Sequence, residues 1–456
     1  MATTPVLKID KMDQAPSAPE TVVNAMFQQL EARTIRVLSR TTTAEPGSPS
    51  EGDAYILPSG TLTGTNWSGY SAGQLAEYIG SAWNNETPIE GWGAVWVSDR
   101  NDIMRYDGSS WIPLYIGSDL TIVVASSGGD FTTIQGALDY LDCAVFDAAA
   151  TITIQVNDGT YTGAITLRHA QGSQIEIKGQ NAYTTTITSV SSSSGSAGAY
   201  TVVLNVASVS NIAVNDYVLI TGCASGTNTD DLNGCWKVTA VGASTIDITC
   251  TSEYSSAPSG AITGNIRTIK SIISVSGDAL TLNNFQLGLL EDIVVVASGG
   301  NAIPISSSHA SLAITSGKVG IGGGTYGIYI INGATSDLSG IVISNCTMGV
   351  FVDLANIKLE SAYLTGCSTN GLRVDGGHAK TSSLVAAANA SRNVLANVSG
   401  VITSSTAMTS VGSAGGFYAQ YGGYISTYPG ATVARNTTDY SPAINTEDSK
   451  GSWVVN

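Results

Sequence analysis

The stretch GIYI at residues 327–330 returns as GVFV at 349–352 and as GLRV at 371–374, each time 22 residues further along the chain. NVLA at 393–396 keeps this spacing, and GFYA at 416–419 follows one residue late. A constant period with a β-type local pattern is typical of a solenoid, in which each repeat is one coil that buries its apolar side chains against its neighbours. The repeat therefore predicts an all-β fold built on a parallel β-helix, with coils stacked about 4.8 Å apart.

Alternation within the repeat separates inward from outward side chains. The residues at the third position of each unit are expected to point outward: Tyr329, Phe351, Arg373, Leu395 and Tyr418. A soluble monomer rarely leaves such an apolar stripe bare. Two interpretations stay open, and we favour the first: the stripe is the contact face among three parallel subunits, or it is a groove in which aromatic rings stack on sugar rings.

Composition sets the class of protein. The 456 residues are 43% hydrophobic and only 12% charged, so a large core is possible, and a surface rich in Ser, Thr, Asn and Gly is expected. The 51 glycines show no strict triplet, which favours many tight turns over collagen. The net charge of −16 opposes binding to a phosphate backbone, so we expect no nucleic-acid partner.

Targeting and metal-binding signals are missing from the sequence. The first ten residues lack the pattern of a signal peptide, and no run of about 18 apolar residues predicts a membrane span, so we expect synthesis in the cytoplasm and no membrane insertion. The cysteines form no CxxC pair, which predicts neither a metal site nor a disulfide frame, and no cofactor. We expect buried free thiols at Cys143, Cys223, Cys235, Cys250, Cys346 and Cys367.

The N-terminal part has a different pattern. Helical spacing of apolar residues predicts a helix from Pro19 to Arg33, and the turn-rich segment 44–49 then opens a small Trp-rich β module. The segments PETVVNAMFQQLEA, PGSPSEGDAYILPSG, GQLAEYIGSAWN, PIEGWGAVWV and MRYDGSSWIPL resemble, in this order, a module of fibre and spike proteins of tailed phages and gene transfer agents. The likeness covers about residues 10–116. Its tryptophans are expected to form the core of the module.

A second resemblance begins after Gly117. The phrases DFTTIQGALDYL, ITIQVNDGTYTGAITL and IEIKG resemble the entry to a right-handed parallel β-helix of the pectin-lyase type, in which an amphipathic helix caps the first coil. Between residues 189 and 267, longer alternating runs predict an inserted antiparallel β domain. Its polar loop carries Asp230 and Asp231, which we interpret as solvated rather than as calcium ligands.

These patterns divide the chain into six expected segments. They are an N-terminal arm and helix (1–43), the Trp-rich module for virion attachment (44–116), the β-helix entry (117–188), the inserted domain (189–267), the β-helix coils (268–440) and a closing segment (441–456).

The resemblances imply a trimeric spike or fibre subunit on the surface of a virion, on tail or head. Such a protein is expected to contact other virion proteins through its N-terminal region and to bind a bacterial surface polysaccharide, either capsule or lipopolysaccharide. Tyr329, Phe351, Arg373 and Tyr418 are the expected contact residues for the glycan or for the neighbouring subunits. A polysaccharide depolymerase, either a glycosidase or a lyase, and a purely structural particle subunit are the alternatives.

A depolymerase of the glycosidase type needs two carboxyl groups about 5 to 9.5 Å apart. Between residues 320 and 436 the sequence offers only Asp337, Asp353, Glu360 and Asp375. The repeat places Asp353 and Asp375 on adjacent coils, so they are the catalytic pair if the protein is an enzyme. The competing interpretation is a polar ladder in which Arg373 is the counter-ion. We favour binding without catalysis.

Overall fold

A computed structural model describes residues 36–90, 92, 95–99, 101–196, 198–224, 227–251, 258–260, 262–427, 432–434, 436, 438–443, 446–447 and 451–455. The helix predicted from Pro19 to Arg33 lies outside the described residues. The chain forms two compact units: one lies within the residues up to Leu120 together with Asp139–Thr151, and the other comprises Thr121–Leu138 and the chain from Ile152 onward.

The described part of residues 36–179 contains short strands, joined by turns and loops, and one α-helix, α1 (Ile134–Leu141). The strands are β1 (Arg36–Val37), β2 (Ala54–Ile56), β3 (Leu75–Ile79), β4 (Ala82–Glu86), β5 (Val95–Val97), β6 (Asp102–Tyr106), β7 (Trp111–Ile116), β8 (Leu120–Val124), β9 (Val145–Phe146), β10 (Ile152–Val156), β11 (Gly159–Tyr161), β12 (Ile165–Leu167) and β13 (Ile175–Gly179).

The first unit contains two small sheets, β1-β5-β6-β7-β9 and β2-β3-β4. Trp67 and Trp83 pack edge to face with ring centroids 5.2 Å apart, and Trp92 and Trp111 lie in a second apolar cluster. These four rings are buried, as the sequence predicts for core residues. Trp96 departs from this prediction, because it is 45% exposed and lies beneath the guanidinium of Arg36.

Helix α1 covers the first coil of the β-helix. Its apolar face is buried, at Ile134, Ala137 and Leu138, as the helical spacing predicts. The side chain of Gln135 accepts a hydrogen bond from the Thr166 N–H (2.7 Å) and donates one to the Thr166 carbonyl (3.4 Å). The helix therefore occupies backbone groups of β12 that would otherwise be open for pairing with another strand.

An antiparallel barrel follows in the chain. Its strands are β14 (Ala182–Ser196), β15 (Ala199–Val206), β16 (Tyr217–Ala224), β17 (Gly234–Val241), β18 (Thr245–Cys250) and β19 (Thr263–Ile269), closed in the order β14-β15-β18-β17-β16-β19. Its antiparallel pairing begins at Ala182, ahead of the expected boundary at Ser189. Apolar side chains, with Trp236 the largest, fill its interior. The predicted domain boundaries stay a prediction.

The β-helix resumes after the barrel with strands β20 to β44. They are β20 (Ser271–Val275), β21 (Leu280–Asn283), β22 (Gln286–Glu291), β23 (Ile293–Ala297), β24 (Ile303–Ser306), β25 (Ser311–Ile314), β26 (Val319–Ile321), β27 (Gly324–Ile331), β28 (Thr335–Asp337), β29 (Val342–Ser344), β30 (Cys346–Asp353), β31 (Asn356–Glu360), β32 (Tyr363–Thr365), β33 (Asn370–Asp375), β34 (His378–Ser382), β35 (Val385–Ala387), β36 (Arg392–Asn397), β37 (Val401–Ser404), β38 (Thr409–Val411), β39 (Gly415–Ala419), β40 (Tyr424–Ser426), β41 (Thr432–Ala434), β42 (Thr438–Ser441), β43 (Thr446–Glu447) and β44 (Trp453–Val455).

Three sheets run along the β-helix. The long sheet has the order β43-β44-β40-β37-β34-β31-β28-β25-β22-β13-β10-β8, the barrel-side sheet β11-β20-β23-β26-β29-β32-β35-β38-β41, and the stripe-side sheet β12-β21-β24-β27-β30-β33-β36-β39-β42. The coil before the barrel pairs directly with the coil after it, as Glu176 opposite Leu289 in the long sheet illustrates. The chain thus leaves the β-helix for the barrel and returns to the next coil.

The 22-residue repeat is confirmed as the coil of this β-helix. Tyr329, Phe351, Arg373, Leu395 and Tyr418 are consecutive partners in parallel pairing. The residues that flank them point inward and are almost completely buried, for example Ile328, Ile330, Val350, Val352, Leu372 and Val374. The fold class predicted from the sequence, an all-β parallel β-helix, is confirmed.

The cysteines in the described residues are free. Cys346 and Cys367 are buried in the β-helix, and burial raises the pKa of the Cys367 thiol to about 12. Cys143 is exposed, so the expectation of a buried thiol was wrong there, because Cys143 follows the end of α1 in a turn and takes no part in its apolar face.

The barrel packs on the outer face of the barrel-side sheet. Leu219 and Cys235 of the barrel lie in one apolar cluster with Val294 and Val342 of that sheet. The Ser344 hydroxyl accepts a hydrogen bond from the Cys235 N–H (3.0 Å) and donates one to the Cys235 carbonyl (2.5 Å). Gly320 makes this close approach possible, because a Cβ there would lie 2.2 Å from Leu219 Cδ2 and 2.8 Å from Cys235 Sγ.

We predict that Gly320→Val lowers the free energy of unfolding by about 1 to 3 kcal/mol, because the new side chain overpacks the contact between barrel and sheet. Gly277→Val is the matched control, since a Cβ at Gly277 meets no atom within 4 Å. Chemical denaturation of both variants checks this. Equal stability of the two variants would show that the barrel does not rest on Gly320.

Candidate functional site

The outer face of the stripe-side sheet carries the residues that the sequence singled out. The rings of Tyr329 and Phe351 lie nearly parallel, 5.6 Å apart, and Tyr326 joins them at 4.9 and 5.5 Å. The guanidinium of Arg373 lies 5.4 Å from the centre of the Phe351 ring. The rings are half-buried, and much of each is already in contact with its neighbours, so less of their faces is open to a sugar ring.

Asp353 and Asp375 are brought onto adjacent coils, as the repeat predicts. Asp375 accepts hydrogen bonds from Arg373, with Nε 3.0 and 3.1 Å from its two oxygens and Nη2 2.6 Å from Oδ2. The hydrogen bond to Asp375 raises the pKa of the Arg373 guanidinium. The Arg373 guanidinium contacts both carboxylate oxygens of Asp375, so the geometry fits a counter-ion role for Arg373.

The C-terminal end of the stripe, at Leu395 and Tyr418, makes different contacts from those of the three rings. The guanidinium of Arg392 covers the Tyr418 ring at 4.7 Å. Leu395 lies in register with the outward residues of the stripe, as expected, although it is only 3% exposed. It lies between Arg373 and Tyr418 in the sheet, and long side chains on neighbouring strands can cover a shorter one. The structure therefore brings Tyr329, Phe351 and Arg373 into one cluster and places Tyr418 in another.

Beside the stripe, three exposed apolar residues form what we call the apolar corner. Leu354, Val398 and Tyr421 are 62%, 55% and 54% exposed, and each follows a strand of the stripe-side sheet. Their φ angles of 50°, 47° and 50° lie in the left-handed region, which is rare for leucine and rarer for β-branched valine. Such conformations cost about 1 to 3 kcal/mol each, and they present apolar side chains to the exterior.

The long sheet carries a groove of about 540 Å³ on its outer face. It extends over successive coils from Ser173 to Lys358. Outward hydroxyl and amide groups form one column along it, and small or charged residues form the next. The first column is Gln286, Ser311, Thr335 and Asn356, and the second contains Ala313, Asp337 and Lys358.

One end of this groove is charged. The Lys358 ammonium lies 3.2 Å from Asp337 Oδ2 and 2.9 Å from Glu360 Oε2. Hydrogen bonds to Glu360 and Asp337 raise the pKa of Lys358. Burial raises the pKa of Asp337, but hydrogen bonds from Ser339 and Lys358 outweigh it, and the net pKa is lowered. A general acid needs a raised pKa, so this carboxylate is suited to binding rather than to proton donation.

The same two columns continue beyond the groove. Asn356 is followed in register by His378, Val401, Tyr424 and Trp453. Tyr424 and Trp453 are partly exposed and end the outer face with two aromatic rings. This face was not predicted from the sequence, because its outward residues change in chemistry from coil to coil and form no repeated motif. Extending the coil spacing to Thr335, Asn356, His378 and Val401 is the signal that could have found it.

Within the described part of the chain, no three His, Cys, Asp or Glu side chains are grouped so that they could hold a metal ion. Among the helices described, none has the length and apolar character needed to cross a membrane.

Three comparisons relate the chain to known proteins. Residues 23–112 match a protein family of unknown function (DUF2793). No curated protein matches the chain. Among solved structures, the Gp54 tailspike of Acinetobacter baumannii bacteriophage AP22, in complex with A. baumannii capsular saccharide, is 12% identical, with 71% of this chain and 69% of that chain covered and a TM-score of 0.22. The tailspike protein gp49 from Pseudomonas phage LKA1 is also 12% identical, with 70% and 54% covered and a TM-score of 0.22. At these TM-scores neither likeness bears on the function of this chain.

We predict that Asp375→Asn lowers the free energy of unfolding by at most about 1 kcal/mol, because the Arg373 partner keeps access to water. Asp353→Asn, which removes the same charge without an ion-pair partner among the described residues, is the control. Denaturant titration measures both. A loss of several kcal/mol at Asp375 alone would contradict the solvated-ladder interpretation.

Proposed function

We propose that this chain is a spike or fibre subunit of a phage or phage-like particle, and that it binds a bacterial surface polysaccharide for host attachment. The observation that carries the proposal is the groove of about 540 Å³ along the outer face of the long sheet. Its axis follows the stack of coils, so it suits an extended polymer better than a compact ligand.

The lining of the groove has the chemistry of a saccharide site. Sugar hydroxyls donate and accept hydrogen bonds, and the side chains of Gln286, Ser311, Thr335 and Asn356 can do both. Gly288 and Ala313 leave the floor open. Tyr424 and Trp453 offer ring surface further along the same face, where sugar rings can stack.

Rigidity supports binding at this site. The groove residues outside Ser173 lie on strands of one sheet, and each coil is fixed by its neighbours above and below. Side chains on such elements lose little freedom when a ligand arrives, which lowers the entropic cost of binding. Long, regularly spaced contacts also allow many weak hydrogen bonds to add up along a polymer.

The particle context rests on the resemblance of residues 10–116 to the module of phage fibres and spikes, which we propose attaches this chain to other virion proteins. A homotrimer is part of the proposal. The exposed side chains of Leu354, Val398 and Tyr421 and the half-buried rings of Tyr329 and Phe351 support it, because contact with a neighbouring subunit would remove this apolar surface from water.

Filling the groove tests the binding function. Ala313→Trp is expected to reduce retention of a purified capsular polysaccharide or lipopolysaccharide by at least about tenfold, since the indole occupies the floor where the glycan lies. Thr249→Trp, at an exposed residue of barrel strand β18, is the control and should bind like the parent chain. Retention measured on a panel of immobilised polysaccharides checks this. No retention of any polysaccharide by the parent chain would leave only the structural alternative.

A depolymerase is the second candidate, favoured by the placement of Asp353 and Asp375 on adjacent coils. We expect the retained polysaccharide to keep its chain length, as measured by size-exclusion chromatography. If it shortens, Asp353→Asn and Asp375→Asn should each lower turnover about 100-fold to 10,000-fold, the range of general acid-base catalysis. Full activity in the double variant would eliminate this pair as the catalytic residues.

A further inference from the structure

Two lysines are stacked at the charged end of the groove. Lys358 lines the groove, and Lys380 is its register partner on the next coil. The backbones of the two strands lie about 4.8 Å apart. Like charges directly opposite each other on neighbouring strands destabilise a sheet. Asp337 and Glu360 offset the charge of Lys358 and so reduce this repulsion, which leaves the Lys380 charge without an ion-pair partner among the described residues.

The two lysines differ in their partners. Lys358 forms ion pairs with Asp337 and Glu360. Lys380 is exposed and forms no ion pair with any of the described residues, and its next neighbour in the column is Thr403. Lys178, Lys270, Lys318 and Lys358 each pair with a carboxylate. Of the described lysines, Lys237 and Lys380 form no ion pair with a described residue, and of these two only Lys380 lies next to the groove.

The surroundings of Lys380 suit a charged ligand group. His378 lies on the same outer face, and its Nε2 is 2.9 Å from the Thr403 hydroxyl. These groups add hydrogen-bonding capacity beside the ammonium. An anion placed between Lys380 and Lys358 would accept charge-assisted hydrogen bonds from both, which are stronger than those between neutral groups.

We propose that the polysaccharide bound in the groove carries an anionic group, and that this group binds beside Lys380 and Lys358. The inference rests on the proposed function and narrows its ligand to an acidic glycan. A sugar carboxylate and a phosphate diester share this chemistry. The net charge of −16 repels an acidic polymer from the chain as a whole, and Asp337 and Glu360 already balance the charge of Lys358. The exposed ammonium of Lys380 therefore supplies the local attraction for the anionic group.

The test uses the full chain and a polysaccharide that it retains, before and after chemical removal of charge. One sample has its carboxyl groups reduced to alcohols, and a second has its phosphates removed. We expect one of these treatments to weaken retention about threefold to tenfold, and the sensitive treatment identifies the group. Lys380→Gln should lose a similar factor on the untreated polysaccharide and little on the treated one.

Lys237→Gln is the matched control. Lys237 is exposed on barrel strand β17 and has no ion-pair partner among the described residues. Its replacement by Gln changes the net charge by the same amount as Lys380→Gln. It should leave retention unchanged. Equal binding of treated and untreated polysaccharide, with Lys380→Gln binding like the parent chain, would overturn the acidic-glycan inference and leave the proposed function standing. Absence of retention of every polysaccharide would overturn both.

Discussion

Parallel pairing of each coil with the next is the constraint on which the rest of the structure depends. A coil has no core of its own, since its inward side chains, such as Val350 and Val374, are buried only because other coils lie above and below. The backbone pairing fixes the level of every residue, and so it also fixes which outward side chains become neighbours. The stripe, the apolar corner and the groove are three consequences of one register.

The outer faces of the three sheets are covered differently because their outward residues differ. The barrel covers the apolar face at Val294 and Val342, and a glycine at position 320 lets it approach. On the stripe-side sheet the aromatic rings contact one another and Arg373. On the long sheet small and polar residues leave an open groove. The residues at a few outward positions thus determine whether each face is covered, packed by aromatic rings or left as a groove. The inward residues fill the core of the coil.

The sequence predicted the fold well because the repeat reports directly on the coil. Alternation at 327–330 and its later copies predicted the inward set and the adjacency of Asp353 and Asp375. It did not predict that Leu395 is covered, because coverage depends on the length and direction of neighbouring side chains. The groove was missed for a related reason: Gln286, Ser311 and Thr335 are ordinary surface residues one by one, and only their register makes them a column. The ion pairs of Lys358 and the lack of one at Lys380 are likewise properties of side-chain geometry.

The attachment of the barrel has a consequence for shortening the chain. Its first and last strands begin and end side by side, with Ala182 opposite Ile269, and the coils that flank it are already direct neighbours. A short loop in place of residues 182–269 would therefore preserve the topology of the β-helix. Such a deletion would uncover the apolar surface at Val294 and Val342 on which the barrel rests. A shortened chain would then be prone to self-association through this surface.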